Sequence, residues 1–173
     1  MRMIFAGALL LLTTGADARW EKTEETSPLD DSKTVRIIRW ADESYISRYR
    51  QTRLIMVVQC QKRDFSVAFY FGGEFLRTHP IAVDYRIDKR PAQRKLFGVS
   101  SNHEWAIASS GRDSTIEASV LFDELVTGQS VYVQAGGSLG EVVHGKFTLT
   151  GLREAVEPVQ RACSTPINAP KRK

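Results

Sequence analysis

The chain contains 173 residues, 42% of them hydrophobic and 25% charged, with a formal net charge of +4. This length is typical of one domain, since domains usually contain about 100–200 residues. The Lys and Arg residues are scattered along the chain and no aromatic stacking pattern accompanies them, which excludes a nucleic-acid-binding stripe.

The first 18 residues have the layout of a secretory signal peptide. Arg2 gives a positive start, Met3 to Leu12 form a short apolar run, and Ala16-Asp17-Ala18 supplies small residues at the positions that a signal peptidase reads. A membrane-spanning helix needs about 20 apolar residues, which neither this run nor any later stretch reaches, so no stable membrane insertion is expected. We expect cleavage near Ala18–Arg19, with a retained N-terminal anchor as the alternative.

The segment "SPLDDSKTV", Ser27 to Val35, carries two adjacent carboxylates, Asp30 and Asp31, beside the hydroxyl of Ser32. Such a group can suggest a cation site, but calcium needs six to eight oxygen ligands and the glycine-centred loop of an EF-hand is absent. Asp and Ser side chains also bind nearby backbone groups in turns. We therefore interpret the segment as a polar turn that leads into the first strand.

Two apolar runs predict a β-hairpin. "RLIMVVQCQ" (53–61) and "FSVAFYF" (65–71) both alternate in the manner of buried strands, and the polar "QKRD" separates them. Further strands are predicted at Val35–Trp40, Ala82–Ile87, Trp105–Ser109, Ser130–Gln134 and Gly145–Leu149. Their regular spacing, broken by Gly and polar turns, predicts a mainly β fold, with residues 19–163 as one β-sandwich-like domain.

Two short helices are predicted between and after the strands. In "STIEASVLFDELVTG", Ser114 and Glu117 have the spacing of a capping box, and Gly128 is a suitable stop. In "GLREAVEPVQRAC", Pro158 should kink the helix or split it in two, and the apolar face should pack on the sheet. The last ten residues (164–173), with two prolines and the cluster "PKRK", predict a flexible basic tail.

The chain has two cysteines, Cys60 and Cys163. In an exported protein two cysteines most often form a disulfide, which here would join the terminal helix to the sheet. Two free thiols or an intermolecular bridge are the alternatives. A metal pair is not expected, because no histidine is close to either cysteine in the sequence.

The sequence contains no recognisable catalytic motif, and neither a metal nor a cofactor is predicted. His79, His103 and His144 lack metal-ligand spacing. Ser100 and Ser101 lie near His103 but without the strained G-x-S-x-G turn of a nucleophile, so a polar loop is the simpler interpretation. In "YRID", Arg86 and Asp88 would share one face of a strand, where they can form an ion pair or bind an acidic partner group.

The order of several segments resembles the VasI/TagO-like family of type VI secretion accessory proteins, which are exported components of Gram-negative bacteria. The matching segments are "SPLDDSKTV", "LIMVVQCQKRDFSVAFYFGGEF", "VDYRIDKRPAQRKLFGVSSNHEWAI", "FDELVTG" and "FTLTGLREAVEPVQRAC". They cover most of Ser27 to Cys163, and the chain departs from the family pattern at Phe97 and in "AGGSLGE". The resemblance implies a periplasmic accessory protein that contacts an envelope or secretion-apparatus component.

Three classes of function therefore remain: a non-catalytic interaction protein, an envelope enzyme, and a small-ligand or inhibitor module unrelated to secretion, for example from a prophage. For the first class, the candidate interaction surface consists of Arg86 and Asp88, followed by Asp30 and Asp31.

Overall fold

The computed structural model describes residues 19–43, 45–46, 51–72, 76, 78–109, 114–137 and 140–163. The predicted signal peptide (1–18) and the predicted basic tail (164–173) lie outside the described residues. The strands are β1 (Glu21–Thr26), β2 (Lys33–Trp40), β3 (Tyr45–Ile46), β4 (Gln51–Thr52), β5 (Ile55–Gln61), β6 (Asp64–Tyr70), β7 (Ile81–Ile87), β8 (Gln93–Val99), β9 (Trp105–Ala108), β10 (Ser130–Gly136) and β11 (Val142–Thr148). The helices are α1 (Ala118–Leu125), α2 (Leu152–Ala155) and α3 (Glu157–Cys163).

Nine strands form one antiparallel sheet in the order β1-β2-β5-β6-β9-β8-β7-β10-β11, and β3 pairs with β4 separately. The predicted hairpin of β5 and β6 is confirmed, with Ile55 opposite Tyr70 and Gln61 opposite Asp64. Its turn places Lys62 and Arg63 in the left-handed region, at φ 51° and 66°. Every strand predicted from the sequence is present to within a few residues.

The sheet curls so that its two halves face each other. In sheet order β6 and β11 are five steps apart, which is about 24 Å in a flat sheet. The rings of Phe69 on β6 and Phe147 on β11 nevertheless lie only 6.0 Å apart. One residue before Phe147, the carbonyl of Lys146 accepts a hydrogen bond from the backbone N–H of Asp42 (2.7 Å), which connects β11 to the segment after β2. The predicted mainly β, sandwich-like single domain is confirmed.

The interior between the two halves is filled by alternate side chains of the strands and by the apolar stripe of α1. Phe69, Phe97 and Phe147 are fully buried. Phe122 of α1 packs edge-on against Phe65 of β6, with ring centroids 5.6 Å apart. The inner face of the sheet is therefore occupied by the core.

The C-terminal helix is fixed to the sheet by the predicted disulfide. Cys60 of β5 and Cys163 of α3 are bonded, with their Cα atoms 5.5 Å apart, and both are buried. The split at Pro158 is also confirmed, because α2 ends at Ala155 and α3 begins at Glu157. Pro158 lies in the first turn of α3, where a helix does not use the backbone N–H that proline lacks.

The predicted capping box is wrong. Helix α1 begins at Ala118, with Glu117 at its N-cap and no side-chain cap hydrogen bond. The Ser114 hydroxyl instead binds the backbone of Ile116, accepting from its N–H (3.2 Å) and donating to its carbonyl (2.7 Å). The next residue is held to β8, since the N–H of Thr115 donates to the Leu96 carbonyl (2.9 Å). These bonds keep the segment extended and delay the helix by one turn.

Candidate interaction surface

Asp30 and Asp31 lie in the turn between β1 and β2. The Asp30 carboxylate accepts a hydrogen bond from the Ser32 hydroxyl (2.7 Å) and pairs with Lys62 (2.7 Å) in the β5–β6 turn. Hydrogen bonds from Lys62 and then from Ser32 lower the pKa of Asp30 below its usual value. Asp31 has φ 54°, which Asp tolerates in turns. The turn is confirmed, but it follows a strand, β1, and does not lead into the first one.

Asp88 is hydrogen-bonded to the backbone of the neighbouring strand. Strand β7 ends at Ile87, and Asp88 follows it with φ 51°. Its carboxylate accepts hydrogen bonds from the backbone N–H groups of Gln129 (3.0 Å) and Ser130 (2.8 Å), so it holds the end of β7 to the start of β10.

Arg86 is exposed on β7, where its guanidinium donates to the carbonyls of Arg90 (3.0 Å) and Lys89 (3.4 Å) in the following turn. Among the described contacts, Arg86 and Asp88 do not pair with each other, so the ion pair that the sequence favours is not formed. The left-handed conformation of Asp88 removes its side chain from the strand face. Arg86 retains unused N–H donors, because a guanidinium has five.

Arg86 belongs to a larger surface, which we call the outer face: the side chains of β8, β7, β10 and β11 that point away from the core. In the strand register, Tyr132 of β10 lies opposite both Arg86 of β7 and Lys146 of β11. Directly opposed side chains have Cβ atoms about 5 Å apart. An aromatic ring thus stands between two cations, and all three side chains are exposed.

The next row of the outer face is an electrically neutral network. Asp84 accepts two hydrogen bonds from the guanidinium of Arg94 (2.6 and 2.8 Å) and one from the amide of Gln134 (3.1 Å). The bond from Arg94 is the main cause that lowers the pKa of Asp84. His144 follows Gln134 in this row and stacks on Tyr132, with ring centroids 5.6 Å apart.

The third row is apolar and contains two small residues. Leu96 lies opposite Ala82, and Gly136 lies opposite Val142. The register of β7 with β10 places Ala82 beside Gly136. Leu96 and Val142 are exposed by 38% and 52%.

Two hollows mark this face. One, of about 540 Å³, is lined by Arg86, Asp88, Lys89, Ser130, Tyr132 and Lys146. The other, of about 320 Å³, includes Ala82, Asp84, Arg94, Gln134, Gly136 and Val142 in its wall. Tyr132 borders the first hollow, and its pKa is raised by burial and by the nearby carboxylate of Glu43.

The sequence identified Arg86 but not Tyr132 or Lys146. These two residues alternate with buried ones on β10 and β11, which is a signal for an outward side chain but not for its neighbours. Their proximity to Arg86 depends on the pairing of β10 with β7, which are separated by β8, β9 and α1 in the chain.

The polar loop around Ser100 is held by internal hydrogen bonds. The Ser100 hydroxyl donates to the side-chain carbonyl of Asn102 (2.6 Å) and accepts from the N–H of Trp105 (3.1 Å). The Asn102 amide in turn donates to Glu104 (2.7 Å). His103 follows in the same turn with φ 59°. Within the described ranges, no three His, Cys, Asp or Glu side chains are grouped so that they could hold a metal ion.

Comparison of the chain with protein-family models, curated proteins and solved structures gives no match. In the part of the chain that the structure describes, no helix is both long and apolar enough to cross a bilayer.

Proposed function

We propose that this chain is an exported periplasmic accessory protein, associated with a type VI secretion system, that acts by protein–protein contact and not by catalysis. The observation that carries the proposal is the row Arg86–Tyr132–Lys146, exposed on three adjacent strands of the sheet. Tyr and Arg are enriched among the residues that dominate binding energy at interfaces, and this row places one of each side by side at the surface.

Export is supported by two features of the chain. The buried Cys60–Cys163 disulfide is of the kind that persists in oxidising compartments such as the bacterial periplasm. Residues 1–18 have the composition of a secretory signal. The association with type VI secretion rests on the resemblance of Ser27 to Cys163 to the VasI/TagO-like family.

The proposal is tested in a Gram-negative host that carries a type VI secretion system. The full-length chain, with a C-terminal epitope, is expressed and its cell fractions are separated. A photo-crosslinking amino acid at position 132 then captures whatever contacts the outer face. We expect periplasmic fractionation, a crosslinked envelope protein, and loss of that crosslink in Arg86→Glu.

Arg63→Glu is the matched control, because Arg63 is an exposed cation in the β5–β6 turn, outside the outer face. Recovery of the chain in the cytoplasm would rule out export. A crosslink that survives Arg86→Glu, or is lost equally in Arg63→Glu, would rule out the outer face as the contact surface. If a strain that lacks this chain still kills competitors normally by type VI secretion, the association with type VI secretion is ruled out.

A further inference from the structure

We propose that the outer face binds an extended, acidic segment of the partner protein, with a carboxylate at the row Arg86–Tyr132–Lys146 and an apolar side chain four residues away over the third row. This inference rests on the proposed function and adds the chemistry and spacing of what is bound. Each half of it follows from a different row of the sheet.

The first row is suited to a carboxylate. Lys89 and Lys146 have no ion pair with a described residue, and Arg86 keeps free guanidinium donors beside them. Two acidic groups border this row. The charge of Asp88 is already engaged by backbone N–H groups, and Glu43 lies close enough to Tyr132 to raise its pKa. Arg86, Lys89 and Lys146 thus outnumber the two acidic groups, and the backbone N–H groups already bind the carboxylate of Asp88. This leaves a net positive charge for a bound carboxylate.

The second row, which contains Asp84 and Arg94, lies between the charged row and the apolar one. It is suited neither to a carboxylate nor to an apolar side chain. Its cation, Arg94, is held by both oxygens of Asp84, so it has no net charge to offer a second carboxylate. A bound segment would cross this row with a polar residue.

The third row is suited to an apolar side chain. Leu96 and Val142 stand exposed on either side of Ala82 and Gly136, and the hollow of about 320 Å³ lies there. A Cβ atom built on Gly136 would have nothing within 4 Å. The space is therefore open, and a larger residue at this position would fill it without a clash in the fold.

The distance between the rows sets the conformation of the bound segment. Tyr132 and Gly136 are four residues apart on one strand, which corresponds to about 13 Å at 3.3–3.4 Å per residue. An extended partner covers that distance with an acidic residue at position i and an apolar one at i+4. A helix would cover only about 6 Å over the same four residues.

The test uses the mature chain with its disulfide intact and fluorescein-labelled ten-residue peptides made of Ser and Thr. The first peptide has Glu at i and Leu at i+4, the second has Leu at i+2, and the third has Lys in place of Glu. We expect the first to bind at least tenfold more tightly than the other two in fluorescence anisotropy. Lys146→Glu and Gly136→Val should each weaken it at least tenfold, Arg63→Glu should leave it unchanged, and Lys146→Glu should improve binding of the Lys peptide.

Several results would overturn the inference: no binding of the first peptide, indifference to the position of Leu, or full competition by inorganic phosphate or by phosphatidylglycerol vesicles. Binding that disappears on dilution of the chain through a monomer–oligomer equilibrium would assign the face to a second copy. Thermal unfolding of each variant near that of the unmodified chain excludes misfolding. Suppose that the chain gives the Arg86-dependent crosslink at position 132 but binds the peptides with Leu at i+4 and at i+2 equally well. The proposed function then stands and this inference fails.

Discussion

Removal of the Cys60–Cys163 disulfide should lower the free energy of unfolding by about 3–5 kcal/mol, near the upper end of the range for small secreted domains. The two residues are 103 positions apart. The chain-entropy model assigns about 4.7 kcal/mol to a closed loop of about 100 residues, and residual structure in the unfolded chain reduces this value. Alanine is the better replacement, because both cysteines are buried and serine would place an unpaired hydroxyl there.

Urea denaturation, followed by the fluorescence of Trp20, Trp40 and Trp105, measures this loss in Cys60→Ala, Cys163→Ala and the double variant. All three should be destabilised by nearly the same amount, because each removes the same bond. Reduction of the unmodified chain with dithiothreitol is the control and should give a similar value. A double variant whose loss equals the sum of the two single losses would refute the reasoning.

The location of the bond also predicts which part of the domain loosens first. Helix α3 contacts β5 and β2, and Val159 is the buried residue it contributes besides Cys163. Without the disulfide, backbone amides of α3 should exchange with solvent much faster while those of β6 and β9 stay protected. Equal acceleration in α3 and in the central strands would show that the bond acts on the whole fold at once.

Three further predictions concern single side chains. Asp88→Ala should lower the free energy of unfolding by about 2–3 kcal/mol, since it removes charge-assisted bonds to two backbone N–H groups, whereas Arg86→Ala should cost less than about 1 kcal/mol in the same urea assay. Burial and the hydrogen bond to Glu124 raise the pKa of Tyr85 in the folded chain. The stability that this shift contributes is therefore complete below the unfolded pKa of about 10 and is lost as the pH rises above that value. In Tyr85→Phe, the unfolding temperature should fall less steeply with pH above about 10 than in the unmodified chain. Ser101→Ala should keep full secretion-dependent killing, and a folded but inactive variant would revive an enzyme hypothesis.

The sequence predicts those strands that contribute several buried apolar side chains. In β2, β5 and β6, apolar side chains recur at alternate positions, and that period is visible without any knowledge of partners. Strand β1 is missed because all of "EKTEET" is exposed at the sheet edge. Strand β8 is missed because Phe97 is its one fully buried side chain. Strand β8 forms because it pairs with β7, and its own residues do not show the pattern of a strand.

The candidate surface is less predictable than the fold. Residue type alone singles out Arg86, but the same reasoning assigns Asp88 to the strand face, and only the backbone shows that it has turned to bind Gln129 and Ser130. The row that includes Tyr132 and Lys146 requires the pairing of three strands from distant parts of the chain. No local period contains that information.

The distribution of exposed groups indicates why recognition would use the outer face and not the β1 edge of this sheet. The β1 edge carries Glu21, Glu24 and Glu25 along its length, and such charges discourage the addition of another strand. The inner face is filled by the core. Leu96, Tyr132 and Val142 are exposed together on the outer face, which has a hollow at its cationic row and another at its apolar row, whereas Leu29, Trp40 and Val120 are exposed on other parts of the chain. Apolar and aromatic groups that cluster on one solvated face, rimmed by charge, are the usual mark of a surface that is covered in the complex.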